Sequence, residues 1–185
     1  MLVGPPAVGK MTVGRELAAR TGMRLLHNHV TIDVVLRFFD FGTPAYSRLV
    51  GEFRRRIIEE VAASELPGLI VTFVWAFDDP TDETVVDSWM SYFRGRGGRV
   101  VFAELEAPQS VRLERARTEL RLAEKPVMRD LAAARERLLD ADVQYQLNTA
   151  GARGDRADWL RIDTTHLTAE QTAQQIIDHF AIPTT

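Results

Sequence analysis

Gly4-Pro5-Pro6-Ala7-Val8-Gly9-Lys10 is the segment whose residue types and spacing most directly imply chemistry. Two glycines with four residues between them, followed by lysine, let backbone N–H groups turn toward an anion. A helix opening at that point adds the positive end of its dipole. The lysine then neutralises charge on the β- and γ-phosphates of a nucleoside triphosphate. The segment lies between apolar Met1-Leu2-Val3 and a helical stretch from Lys10 to Arg20, the strand–loop–helix context the mechanism demands. Gly4, Pro5, Ala7, Val8, Gly9, Lys10, Met11 and Thr12 are therefore predicted to bind nucleotide.

One position departs from the pattern. The residue after the lysine usually supplies a hydroxyl to Mg²⁺, and here it is Met11, a soft thioether that a hard cation disfavours. Thr12 is about 100° further round the helix and better placed for the α-phosphate than for the metal. Mg²⁺ must then be held by the nucleotide, by water or by a carboxylate from elsewhere, with Asp33, Asp78 and Asp79 as candidates.

A phosphoryl transfer needs cations around the phosphates and a base for an acceptor hydroxyl. Lys10 is the firmest cation. Asp33 reads equally as base or Mg²⁺ ligand and as a first-turn aspartate complementing a helix dipole. It lies one turn beyond His29, so the two can share a face. His27 and His29 alternate along what reads as an extended segment, which points them to opposite sides and leaves at most one facing a pocket. Asn28 either orients a substrate or caps the next helix. Arg54 borders the apolar stripe of its helix, where it either meets an anionic acceptor or snorkels past Phe53 and Ile57. Trp75 and Phe77 end an apolar run where open α/β sheets place ligands, and core packing is their other reading.

The elements that must position these groups follow an α/β pattern. Short strands at Met1–Val3, Met23–Leu26, Leu69–Phe77, Arg99–Leu105 and Trp159–Ile162 alternate with helical stretches, as in a parallel sheet with crossover helices. Residues 30–66 read as helical, and in 45–65 the apolar Leu49, Val50, Phe53, Ile57, Ile58 and Val61 recur at helical spacing. Asp78-Asp79-Pro80-Thr81 starts another helix running to Gly95, and Thr168 with Gln171 forms a capping box for the last. Only three residues precede Gly4, whereas a strand typically runs about five or six. The central strand is expected to be either unusually short or begun upstream.

The 185 residues fit one domain without repeat or linker, and 45% hydrophobic with 26% charged residues is ordinary for a globular chain. A net charge of −3 argues against nucleic acid as the main partner, since phosphate-backbone binding leaves a basic footprint. With no cysteine, thiolate metal sites and cysteine nucleophiles are excluded. The apolar runs are too short to cross a membrane, and no signal peptide is visible, so a cytoplasmic location is expected.

The run Gly4–Gly14 (GPPAVGKMTVG) followed by His27-Asn28-His29 resembles the small P-loop kinases, the group containing shikimate kinase, adenylate kinase and chloramphenicol phosphotransferase. Within it, these motifs are similar to those of a bacterial ATPase-like subgroup. The resemblance implies a three-layer P-loop NTPase fold: a five-stranded parallel sheet of order 2-3-1-4-5 with helices on both faces. It also implies a substrate segment at 30–66 and a lid at 117–129. Arg117, Arg121, Lys125 and Arg129 would fall in that lid, where the family clamps phosphate oxygens, and Asp163-Thr164-Thr165 would lie at the adenine. Where shikimate-type kinases carry Asp-x-Asp after the second strand this chain has His27-Asn28-His29, and it lacks their glycine-rich turn after the third. Both differences argue against shikimate as substrate. The expectation is an ATP- and Mg²⁺-dependent phosphotransferase, monomeric or homodimeric, acting on a hydroxyl of a small-molecule acceptor held near His29, Asp33, Arg54, Trp75 and Phe77. The alternative is a nucleotide-binding protein with weak or no transfer.

Overall fold

The computed structural model describes residues 1–117 and 131–185, with the backbone alone at 131–134. In chain order the elements are β1 Leu2–Val3, α1 Lys10–Thr21, β2 Arg24–Leu26, α2 Asn28–Val35, α3 Pro44–Ala62 and β3 Leu69–Val71. These are followed by α4 Pro80–Arg94, β4 Phe102–Glu106, α5 Gln109–Ala116, α6 Leu131–Gln144, β5 Trp159–Asp163 and α7 Ala169–Phe180. All strand pairs are parallel: β1 with β4, β4 with β5, and β2 with β3. A parallel bridge from Leu2 to Thr72 links the two ladders, and Phe73 N–H donates to the Leu2 carbonyl at 2.9 Å.

Neighbouring residues in these strands go to opposite faces, as strand geometry dictates, and both faces are covered. Leu2, Ile70 and Ala103 join Val13 and Leu17 of α1 and Ile176, Ile177 and Phe180 of α7 in one apolar cluster. Val3, Val71 and Phe102 join Ile58 of α3 and Val86, Trp89 and Met90 of α4 in another. Covering both faces explains why the strands read as continuous apolar runs rather than alternating ones.

The helix ends match local sequence chemistry. Gly22 closes α1 in the left-handed region and returns its N–H to the Ala18 carbonyl. Thr43 and Asp79 cap α3 and α4, each with proline in the first turn. The expected Thr168–Gln171 capping box is present on α7.

Three expectations need correction. Residues 30–66 are not one helical stretch: α2 ends at Val35 and α3 begins at Pro44, with Gly42 at φ +79 in the connection. The apolar run Leu69–Phe77 is laddered only to Val71, with the bridge at Thr72. Its neighbours leave there, because β1 gives way to the glycine loop at Gly4 and β2 to α2 at Asn28. The fourth strand starts at Phe102 rather than Arg99, level with its partner Trp159.

Candidate phosphate-binding site

Three backbone positions in the glycine loop carry positive φ: Gly4 at 130, Ala7 at 65 and Gly9 at 107. Gly4 cannot be replaced in place, since a Cβ there would come within 2.2 Å of the Leu105 carbonyl oxygen. The loop thus passes hard against the end of β4 before turning into α1. Gly9 is the N-cap of α1 and offers no side chain to the helix end, so the first N–H groups of the helix face the pocket rather than an internal cap. Lys10 folds over the loop, its Nζ donating to the carbonyls of Gly4 at 2.5 Å and Pro5 at 2.7 Å. Gly4 and Pro5 are buried beneath the loop, while Ala7, Val8, Gly9, Lys10, Met11 and Thr12 line a cavity of about 370 Å³.

The far wall of that cavity comes from His27, Asn28 and His29 and from Thr72 and Val74. Both histidines face it, with ring centroids 6.5 Å apart. The expectation that they point to opposite sides fails because the helix starts at Asn28, so only His27 is extended. Asn28 is accordingly the first helical residue, not the cap. One turn along α2, Asp33 brings Oδ1 to 3.4 Å from His29 Nδ1, with the imidazole side chain 12% exposed and the carboxylate 37%. The shared face expected from the spacing is present.

Alternation also decides the fate of the aromatic residues. Thr72 and Val74 face the cavity, whereas Phe73 and Trp75 turn into the α3–α4 core. Trp75 is 2% exposed and stacks on Phe77 at 4.8 Å, with Trp159 edge-on to both at 6.0 Å. The Arg153 guanidinium lies over the rings of Trp75, Phe77 and Trp159 at 4.9–5.4 Å and pairs with Glu83. These residues form a packed aromatic block, and the structure does not bring Trp75 or Phe77 to the phosphate cavity.

Other candidate residues are committed to structural contacts. Arg54 donates from Nε to Thr31 Oγ1 at 3.1 Å and from Nη2 to the Asn28 carbonyl at 3.2 Å, bracing α2 on α3. Burial lowers its pKa, with Tyr46 opposing that shift. Asp78 is exposed and accepts from the Gln146 N–H. Asp79 caps α4, and the Thr81 N–H and hydroxyl hold its pKa below the usual carboxylate range. Among the described residues no group of three histidine or acidic side chains is arranged to hold a metal ion. Arg117 is exposed at the end of α5, and Arg121, Lys125 and Arg129 lie outside the described residues.

The sequence reading missed Arg115. It reaches from α5 across the cavity wall, donating from Nη1 to the Val8 carbonyl at 3.2 Å and Thr164 Oγ1 at 3.0 Å, and from Nη2 to the Thr164 carbonyl at 2.5 Å. Thr164 itself is buried and donates to the Glu106 carbonyl, which fastens the segment after β5 to the glycine loop. One turn before it, buried Arg112 reaches the Ala107 carbonyl and pairs with Asp142 at 2.6 Å. The available signal was periodicity: Arg112, Arg115 and Ala116 share the inner face of a short helix whose opposite side is polar.

No family model matches the chain, and no curated protein matches its sequence. Solved structures of P-loop kinases share its fold. Shikimate kinase from Acinetobacter baumannii superposes with TM-score 0.52 at 20% identity, over 96% of this chain and 89% of that one. APS kinase from Mycobacterium tuberculosis gives 0.58 at 13%, over 97% and 95%. The Deinococcus radiodurans tunicamycin resistance protein gives 0.55 at 19%, over 100% and 95%.

Proposed function

We propose that this chain is an ATP-dependent phosphotransferase that acts on a hydroxyl group of a small-molecule acceptor. The observation that carries the reading is one cavity with two unlike walls. The glycine loop, the open N-terminus of α1 and Lys10 form one wall, and His29, backed by Asp33, stands at the other. The first wall suits the β- and γ-phosphates of a nucleoside triphosphate. The second suits a group that must lose a proton as it is phosphorylated. The fold shared with P-loop kinases agrees, and the single bridge between ladders supports a five-stranded sheet of order 2-3-1-4-5.

In this reading Lys10 moves from the loop carbonyls onto the phosphates. Arg115 and Thr164 hold the end of the cavity that would take the nucleoside. His29 accepts the acceptor proton at Nε2, the tautomer fixed by an Nδ1–H bond to Asp33. Mg²⁺ bound with the nucleotide would supply positive charge to neutralise what develops on the phosphates. With Met11 in the usual ligand position, its protein contact would be Asp33 or water. Arg117 is the described cation best placed to belong to a phosphate-clamping segment at 117–129, with Arg121 as its proposed partner.

Nucleotide binding and acceptor-dependent ADP release, measured together for the native chain and Lys10→Ala, test the proposal. Binding of ATP with turnover that rises on adding an acceptor alcohol, both lost in Lys10→Ala, is the expected outcome. ATP binding without acceptor-dependent ADP release from any alcohol supports the second reading, a nucleotide-binding protein without transfer, which Met11 favours. No ATP binding at all overturns both.

A further inference from the structure

We infer that Asp142 of α6 is a positioning residue for phosphate recognition, acting through Arg112 on the Pro6–Ala7 peptide of the glycine loop. The inference rests on the nucleotide-binding half of the reading above and concerns what gives the loop its shape. In a planar trans peptide the carbonyl and the following N–H point in opposite directions. A loop that offers N–H groups to an anion must therefore keep the preceding carbonyls on its outer side. Among the described residues no peptide is cis, and α5 holds two of those carbonyls. Arg112 donates from Nη1 to the Pro6 carbonyl at 3.4 Å, and Arg115 donates from Nη1 to the Val8 carbonyl at 3.2 Å. Each contact turns the following N–H, of Ala7 and of Gly9, away from its arginine, and both residues line the cavity.

The two grips differ in what lies behind them. Arg115 continues to Thr164 after β5, whereas Arg112 is backed by α6. Its Nη2 pairs with Asp142 Oδ2 at 2.6 Å, and Gln109 Nε2 donates to the same oxygen at 2.7 Å. The Arg112 side chain is 7% exposed and that of Asp142 16%. A guanidinium is a rigid fork, so holding Nη2 on Asp142 and Nε on the Ala107 carbonyl also fixes Nη1. Without the carboxylate, a buried charge is left to seek another acceptor, and the Pro6 carbonyl loses its fixed partner. The loop needs that hold at this point. Ala7 has φ 65, a left-handed conformation that is costly with a Cβ and persists only where the surroundings impose it. Its side chain packs with Ala116 of α5 and Leu138 of α6. The same two helices therefore hold this strained residue through its methyl group and through the peptide before it.

The test is backbone-amide NMR of the native chain, Asp142→Ala, Asp142→Glu and Arg112→Lys, each titrated with ATP and Mg²⁺. Gly9 is the internal control, because the grip on its preceding carbonyl does not pass through Asp142. In the native chain the Ala7 and Gly9 amide resonances should both shift as ATP binds. In Asp142→Ala the Ala7 response should be lost and the Gly9 response kept. The Kd for ATP should rise about tenfold, the change that losing one hydrogen bond to a charged group produces. Asp142→Glu should recover part of that affinity. Arg112→Lys, which keeps the charge without the fork, should behave as Asp142→Ala does, and it decides by the same criterion if Asp142→Ala fails to fold. A native Ala7 amide that stays still while Gly9 shifts overturns the inference. Native Ala7 response and Kd in Asp142→Ala also overturn it. So does loss of both responses together with thermal stability, which marks a general structural role. ATP that fails to bind the native chain instead sinks the nucleotide-binding reading, and the inference falls with it.

Discussion

At the scale of single residues the proposed site divides into groups that would touch substrates and groups that would hold them in place. On the phosphotransferase reading Lys10 is of the first kind: its ammonium rests on two loop carbonyls and would transfer to the phosphates, so Lys10→Ala should lower turnover by roughly 10²–10³-fold. Steady-state ADP production checks this. His29 and Asp33 divide differently. If His29 is the base and Asp33 its orienter, His29→Gln should lower kcat by about 10²-fold or more and Asp33→Asn by less, with little change in KM for ATP. A Mg²⁺ titration on Asp33→Asn distinguishes the roles, since a shifted metal requirement would make Asp33 a metal ligand instead. Met11→Ser should change turnover only modestly in a chain that already places Mg²⁺ by other means. A large gain would mark the native chain as a nucleotide binder.

The elements that hold these residues depend on a few irreplaceable contacts. Gly4 is one: Gly4→Ala drives a methyl group into the Leu105 carbonyl and should cost about 2–4 kcal/mol or displace the loop, seen as a lowered melting temperature together with lost ATP binding. Glu104 is another. It is fully buried in β4 and accepts from Thr149 N–H, Thr149 Oγ1, Asn148 Nδ2 and Trp159 Nε1 at 2.7–3.0 Å. Burial pushes its pKa up, but the hydrogen bonds from Thr149, Asn148 and Trp159 outweigh burial and hold it below the ordinary glutamate value. The unfolded chain therefore binds more protons here, so this stabilisation is present above the ordinary glutamate pKa and is lost as pH falls through the lowered one. Urea unfolding of the native chain and Glu104→Gln from pH 7 down to pH 3 should show the two curves converging as the pH drops. Parallel curves would remove Glu104 from the account.

For the whole molecule, the α/β class and the sharply turned glycine loop before α1 were legible because each rests on local chemistry. Gly4, Gly9 and Lys10 announce the loop by type and spacing, and Thr168 with Gln171 announces the last helix. Tertiary partners were not legible. Nothing within Leu69–Phe77 shows that its neighbours depart after Thr72, and that departure leaves room for the cavity onto which alternation turns Val74 while Trp75 enters the core. The helix start at Asn28 likewise reversed the expected sidedness of the histidines, and Arg115 was hidden because its acceptors, Val8 and Thr164, are 107 and 49 residues away in sequence. Phe38, Phe39 and Phe41 in the connection from α2 to α3 are visible as apolar residues in the sequence, but only their exposure in the structure distinguishes surface from packing.

The central claim is that this molecule moves a phosphoryl group from ATP to an alcohol. Phosphorus NMR of the native chain with ATP, Mg²⁺ and each of a panel of small alcohols reads that transfer directly. The expected result is loss of the γ-phosphate resonance with matching growth of ADP and of a phosphate monoester. ATP left intact, or ADP accompanied by inorganic phosphate alone across the full range of alcohols, would contradict it.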